Sequence, residues 1–183
     1  MEAILEAAVQ VLVSNGYGHS TTDRIAQRAG VSVGTLYQYF GGKDDVYDAV
    51  LARDASQLIC ALGEMTFSSS QPLEASLLAI FTDVLSTLPH FPVLLRELQS
   101  APNALLRNRI AGLEKELRSF VRDLLETYRP QLRVDDLDVA TFMIVRTSEA
   151  VATNAAVDIP AARLAIELSE LLSRYLVRDQ SSR

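Results

Sequence analysis

Tryptophan is absent from this 183-residue chain, cysteine occurs once, at Cys60, and histidine twice, at His19 and His90. A single thiol closes no intrachain disulfide, and one cysteine with two histidines falls short of the four ligands of a structural zinc site. The expected setting is therefore a reducing cytoplasm, with no metal and no other cofactor. Lysine is scarce as well, Lys43 and Lys115 being the only two, and 17 Lys and Arg face 23 Asp and Glu for a net charge of −6. That balance opposes phosphate binding over the whole surface, but it leaves room for one favourable face. A long apolar run is also missing. The longest uncharged stretch, residues 7–22, is too short for a bilayer and turns polar after Val13, and Met1-Glu2 offers no basic start for a signal peptide, so no membrane partner is expected. Nor is there a nucleophile elbow, a metal-ligand cluster or a phosphate loop. The acidic pairs Asp44-Asp45 and Asp135-Asp136 fall where helices start and carboxylates are favoured electrostatically, so an enzyme is not expected.

What is present is apolar periodicity over a chain that is 49% hydrophobic, enough for a sizeable core. Ala3, Ile4, Ala7, Ala8, Val11 and Leu12 recur at three- and four-residue spacing opposite Glu2, Glu6 and Gln10, which predicts a first amphipathic helix ending at Asn15-Gly16, with Gly16 as a left-handed cap. Ser20, three residues before Asp23, reads as the start of a second helix with Ile25, Ala26 and Ala29 inward and Arg24, Gln27 and Arg28 outward. Gly30 ends it, Val31 plugs a turn, and Ser32 caps a third helix that buries Leu36 and Phe40. Two short helices across a tight turn make a helix-turn-helix, which lays its second helix in the DNA major groove. The exposed face of that helix would carry Val33, Gly34, Thr35, Tyr37, Gln38 and Tyr39. Hydroxyls suit phosphate oxygens, Gln38 suits an adenine edge and Val33 a thymine methyl, although Gly34 could equally be a tolerated glycine and the tyrosines could pack on the next helix.

The segment from Ser20 to Val46 resembles the DNA-binding domain of TetR-family transcriptional regulators: a threonine-rich helix start, Ile25-Ala26, Ala29-Gly30-Val31-Ser32, Gly34-Thr35-Leu36-Tyr37, Tyr39-Phe40 and then Lys43. The resemblance implies that Thr21, Thr35, Tyr37, Tyr39 and Lys43 contact phosphates, with Val33, Gly34 and Gln38 nearest the bases. It implies double-stranded operator DNA, a homodimer and a small effector as partners. One departure is Gly41-Gly42 in place of a stiffer connector.

Beyond residue 43 the pattern is again helical, broken at Pro72, Pro89, Pro92, Pro102, Pro130 and Pro160, with no strand-like alternation, so the fold class is all-α. We expect residues 1–43 to form the helix-turn-helix domain and residues 44–183 a larger helical domain for effector binding and dimerisation. Its expected helices cover residues 44–63, 72–88, 93–100, 103–128, 135–157 and 161–177, with a serine-rich loop at 67–71. Phe81, Leu85, Phe91, Leu94, Leu98, Leu113, Leu117, Phe120, Phe142 and Met143 are either effector-site walls or ordinary core. Arg146 and Glu149, charged on an otherwise apolar helix, could pair with each other, face solvent, or anchor a ligand. Ala152, Ala155, Ala156, Leu164, Leu168, Leu171, Leu172 and Tyr175 form small-residue and leucine stripes suited to a two-fold four-helix interface, or to the chain's own core. The function these readings predict is a repressor that binds a palindromic operator as a homodimer and is released by a small apolar or aromatic effector. The acidic balance favours one alternative, an all-helical small-molecule-binding dimer with negligible DNA affinity.

Overall fold

In the computed structural model, which describes residues 1–155 and 159–177, the elements are α1 (Glu2–His19), α2 (Thr22–Ala29), α3 (Val33–Tyr39), α4 (Lys43–Glu64), α5 (Leu73–Thr87), α6 (Phe91–Gln99), α7 (Ala104–Thr127), a 3-10 turn (Arg129–Gln131), α8 (Leu137–Asn154) and α9 (Ala161–Leu176). No strand occurs among the described residues, only a single bridge between Leu132 and Val177. The all-α class read from the sequence is the observed one. Two compact units divide the chain, one of Met1–Gln57 with His90–Leu113 and the other of Leu58–Pro89 with Glu114 onward; α4 and α7 contribute residues to both.

In the first unit α1 buries Ile4, Leu5, Ala7, Ala8, Val11 and Leu12 and packs on α2 and α6. Gly16 has the positive φ expected of it, 72°, but its ψ of 164° is extended, so it bends α1 and does not cap it. A carboxylate explains the bend: Glu97 of α6 accepts a hydrogen bond from the Tyr17 backbone N–H at 3.1 Å, and a Cβ on Gly16 would stand 3.1 Å from that same carboxylate. The cap of α2 is Thr21, whose hydroxyl accepts from the Arg24 N–H at 3.3 Å. Ser20 is not the cap because it is buried, with its hydroxyl 2.5 Å from that of Tyr47. Burial pushes the Tyr47 phenol up to about 12, keeping it neutral between α1 and α4.

The start of α4 is held by polar ties within this unit. The Tyr17 hydroxyl donates to one oxygen of Asp44 at 2.5 Å and Asn103 donates to the other at 2.5 Å, while Nε and one Nη of the Arg109 guanidinium engage the two oxygens of Asp48. Deeper along α4, the fully buried Asp54 carboxylate accepts from Arg53 at 2.9 Å and from His90, the residue preceding α6, at 2.7 Å, so its charge is paired and hydrogen-bonded as burial demands. Pro92, expected to break the chain, lies in the first turn of α6, where its missing N–H has no intrahelical partner to lose.

In the second unit α5 buries Leu73, Ser76, Leu77, Ile80 and Phe81 and packs along α9, which turns Ala165, Leu168, Ser169, Leu172 and Leu176 inward; α8 also meets α9. Ser76 and Tyr128 share a hydroxyl contact of 2.6 Å in this core. The serine-rich segment is tied down by one side chain: Gln131 donates from Nε2 to the Ser69 carbonyl at 2.9 Å and the Gln71 carbonyl at 2.8 Å, and its Oε1 accepts from the Leu73 N–H at 3.1 Å.

Candidate functional site

Within the first unit, α2 ends on Gly30 in the left-handed conformation (φ 71°, ψ 26°), whose N–H bonds back to the last turn. Ser32 then caps α3, accepting from the Thr35 N–H at 3.0 Å, and its hydroxyl lies 2.8 Å from the Thr35 hydroxyl. This turn sets α3 against α2 with only Leu36 of α3 fully buried. Tyr37 and Tyr39 are 54% and 57% exposed, Gln38 and Gly34 are exposed, and Val33 and Thr35 are half-buried. The alternative that the tyrosines pack on the next helix is not what the structure shows. Tyr37 does have one partner, the Thr22 hydroxyl at 3.2 Å, beside the exposed Thr21. A Cβ on Gly34 would meet nothing closer than the Ser32 hydroxyl at 3.6 Å, an ordinary contact. No neighbour among the described residues therefore requires glycine at this helical position.

Lys43 is more occupied than its sequence position suggests. Its ammonium donates to the Tyr17 carbonyl at 3.0 Å and stands 4.1 Å from the centre of the Tyr17 ring. Two further cations, not among the predicted site residues, stand on the outer face of α2: Arg24 donates to the His19 carbonyl at 2.6 Å and Arg28 to the Gln10 side-chain oxygen at 2.6 Å, beside a groove of about 420 Å³ between α1 and α2. The partners of Lys43, Arg24 and Arg28 are neutral, so their charges are not cancelled, whereas Arg53, Arg109, Arg118, Arg122 and Arg146 each bond a carboxylate. These three cations of the helix-turn-helix unit thus bond neutral groups, as do the carboxylates of Asp44 and Asp45 at the start of α4. The signal for the two arginines was their outward register on α2.

The predicted effector-site residues fall in both units. Phe91, Leu94, Leu98 and Leu113 belong to the first, where all four are buried. Phe81, Leu85, Leu117, Phe120, Phe142, Met143, Arg146 and Glu149 belong to the second. There Phe81 is core, Leu85, Leu117 and Phe120 are half-buried, and Phe120 meets Phe67 edge-on at 6.0 Å. Phe142 and Met143 are exposed on α8, with the Arg118 guanidinium 5.5 Å over the Phe142 ring. Arg146, open to solvent, bonds Glu149 at 2.8 Å and Glu114 at 2.7 Å; these carboxylates, with the Glu149 hydrogen bond foremost, hold its pKa above the usual guanidinium value. Of the three readings of Arg146 and Glu149, mutual pairing is observed, together with exposure of Arg146 to solvent. The inward face of α8 carries instead two hydroxyls, of Thr141 and Ser148, that are buried without a hydrogen-bond partner.

The predicted interface residues also separate. Leu168 and Leu172 are only 3% exposed within the single chain, so they are core and not free interface, because α9 rotates them onto α5. Leu171 is 54% exposed, and Ile166 with Val139, Phe142 and Met143 of α8 are exposed apolar neighbours in the sequence of the same two helices. Ala152, Ala155, Leu164 and Tyr175 are half-buried, and Ala156 lies outside the described residues.

A helix-turn-helix with an exposed second helix, followed by a helical unit, is the arrangement of a DNA-binding regulator. Residues 4–50 match the tetR family of bacterial regulatory proteins and residues 72–176 the tetracyclin repressor-like C-terminal domain; the chain belongs to the TetR family of transcriptional regulators. It is 31% identical over 125 residues to the fatty acid metabolism regulator protein of Bacillus subtilis, a match covering 68% of this chain and 60% of that one. It is 40% identical over 81 residues to the transcriptional activator FasR of Mycolicibacterium smegmatis, covering 43% and 37%. The chain thus spans less than two thirds of these curated relatives. Among solved structures, FadR from Bacillus subtilis in complex with stearoyl-CoA superposes with a TM-score of 0.77 at 24% identity, over 95% of this chain and 98% of that one. Among the described residues no single helix is long and apolar enough to cross a membrane.

Proposed function

We propose that the chain is a ligand-responsive repressor that binds a palindromic operator as a homodimer and releases it when a small, largely apolar effector binds the helical domain. The observation that carries this reading is the exposed face of α3, where Gly34, Tyr37, Gln38 and Tyr39 stand open to solvent. Thr21, Thr35, Tyr37, Tyr39 and Lys43 are the phosphate contacts, joined by Arg24 and Arg28; Val33, Gly34 and Gln38 meet the base edges. The functional division falls at residues 43 and 44. The exposed apolar residues of α8 and α9 supply the dimer face, with Leu171 central. An acyl-type effector is supported by the relatives, a fatty acid metabolism regulator and a structure holding stearoyl-CoA.

Titration of labelled DNA from the gene's own upstream region at low and moderate salt tests the reading. Specific binding is expected, with a slope of log affinity against log salt that falls by about one in Lys43→Ala. Negligible binding at both salt concentrations would favour the alternative of a small-molecule-binding dimer, which the internal engagement of Lys43 by Tyr17 supports.

A further inference from the structure

A buried hydroxyl without a partner is a cost to the folded protein, and among the described residues the buried side-chain oxygens and nitrogens in this state are those of Thr141 and Ser148. Both stand on α8, seven residues apart. With Ile144 and Val145, which are buried, they occupy positions i, i+3, i+4 and i+7 of one helix face. The result is an apolar strip with a hydroxyl at each end, about 10 Å apart along the helix axis. Thr141 is only 6% exposed and Ser148 is half-buried, with the hydroxyl oxygen of each covered by the protein.

We propose that Thr141 and Ser148 are the polar anchors of the effector site, and that the effector is an elongated apolar molecule whose hydrogen-bonding groups are neutral, such as the carbonyl of an ester, amide or ketone. The inference rests on the effector-binding reading above and deepens it. The inward face of α8 (Leu137, Ala140, Thr141, Ile144, Val145, Ser148) contains no ionisable side chain, so a carboxylate placed there would lose its hydration and meet no countercharge on this helix, while Arg118 of α7, over the Phe142 ring, is itself bonded to Glu114. Arg146, the cation on the same helix, is exposed and already bonded to Glu114 and Glu149, and a ligand carboxylate would have to displace both. The charges flanking the strip are likewise committed: Asp138 pairs with Arg122 at the surface. A ligand carbonyl accepts from the Thr141 hydroxyl, and a second oxygen accepts from Ser148, removing both unmet donors at once.

The test uses methyl decanoate and decanoate, which share a chain and differ in charge, with the full-length protein, its operator, and the variants Thr141→Val and Ser148→Ala. Both variants replace an unpartnered hydroxyl by an apolar group of similar or smaller size and are expected to melt, without ligand, close to the wild type, with Thr141→Val at or above it. Methyl decanoate is expected to raise the wild-type melting temperature and weaken operator binding. Each variant should need about tenfold more ester for the same effect, the loss of one hydrogen bond, and decanoate should be at least about tenfold weaker than its ester. Equal ester response in the wild type and both variants, or a preference for decanoate, would overturn the assignment. So would indifference to both probes in a protein that still binds its operator, an outcome that leaves the regulator reading intact. Failure of the wild type to bind any operator would sink that reading and this one together.

Discussion

Gly34 shows how a single residue can be uneconomical in the free chain and still make sense. Glycine within a helix costs about 1 kcal/mol relative to alanine, and here a Cβ would fit without displacing anything. Gly34→Ala is therefore expected to stabilise the protein by up to about 1 kcal/mol in urea unfolding while weakening operator binding at least about tenfold, because the backbone is then held off the groove. If the variant binds as tightly as the wild type, close approach at α3 is not the reason for this glycine. Lys43 illustrates the opposite case, a cation whose family position was legible but whose local partners were not. Its carbonyl and ring contacts come from Tyr17, 26 residues earlier, just past Gly16, where the sequence announced a break in α1 but not the extended ψ that bends it. Ser20 and Thr21 differ for the same reason: both suit a cap, and a distant tyrosine takes one of them.

At the scale of elements, α9 depends on which of two adjacent leucines turns inward. One residue is a rotation of about 100°. Leu172, facing α5, and Leu171, facing out, therefore give contrasting variants. Leu172→Glu places an unpaired charge in the core and is expected to lose several kcal/mol, enough to abolish cooperative melting. Leu171→Glu should melt within about 0.5 kcal/mol of the wild type as a monomer fold, yet sediment as a monomer and lose operator affinity. A stable dimer in Leu171→Glu would move the interface away from this face. The helix-turn-helix was legible because its signals are local: caps, a left-handed glycine and two buried positions within about twenty residues. The inward stripes of α8 and α9 were not, since each helix also carries apolar residues on its outer side (Val139, Phe142, Met143, Ile166, Leu171) and tertiary packing selects which are buried. The unpartnered Thr141 and Ser148 left no trace in the sequence, because an ordinary hydroxyl and an unmet one are spelled alike.

For the whole molecule, the acidic total sits beside three cations of the helix-turn-helix unit that bond neutral groups and so stay available to phosphate. Carboxylates neutralise arginines along α4, α7 and α8, while Arg24, Arg28 and Lys43 keep neutral partners. A two-fold pair of such units requires two half-sites about 34–36 Å apart, or multiples of that spacing. Inserting about half a helical turn of DNA between them should reduce affinity at least about tenfold in a mobility-shift titration, and restoring a full turn should recover part of it. Indifference to spacing would mean that each unit binds alone.

The serine-rich stretch between α4 and α5 has the composition of a site where a protease would nick the chain. Gln131 alters that expectation, since its one amide group holds the carbonyls of residues 69 and 71 and the N–H of residue 73 at once. A protease must draw several consecutive residues into an extended strand, and here it has to wait until that amide releases all three. Cleavage of this polar surface segment is thus set by the opening of a contact made by a side chain some sixty positions further along, and the chain's apparent weak point is guarded from a distance.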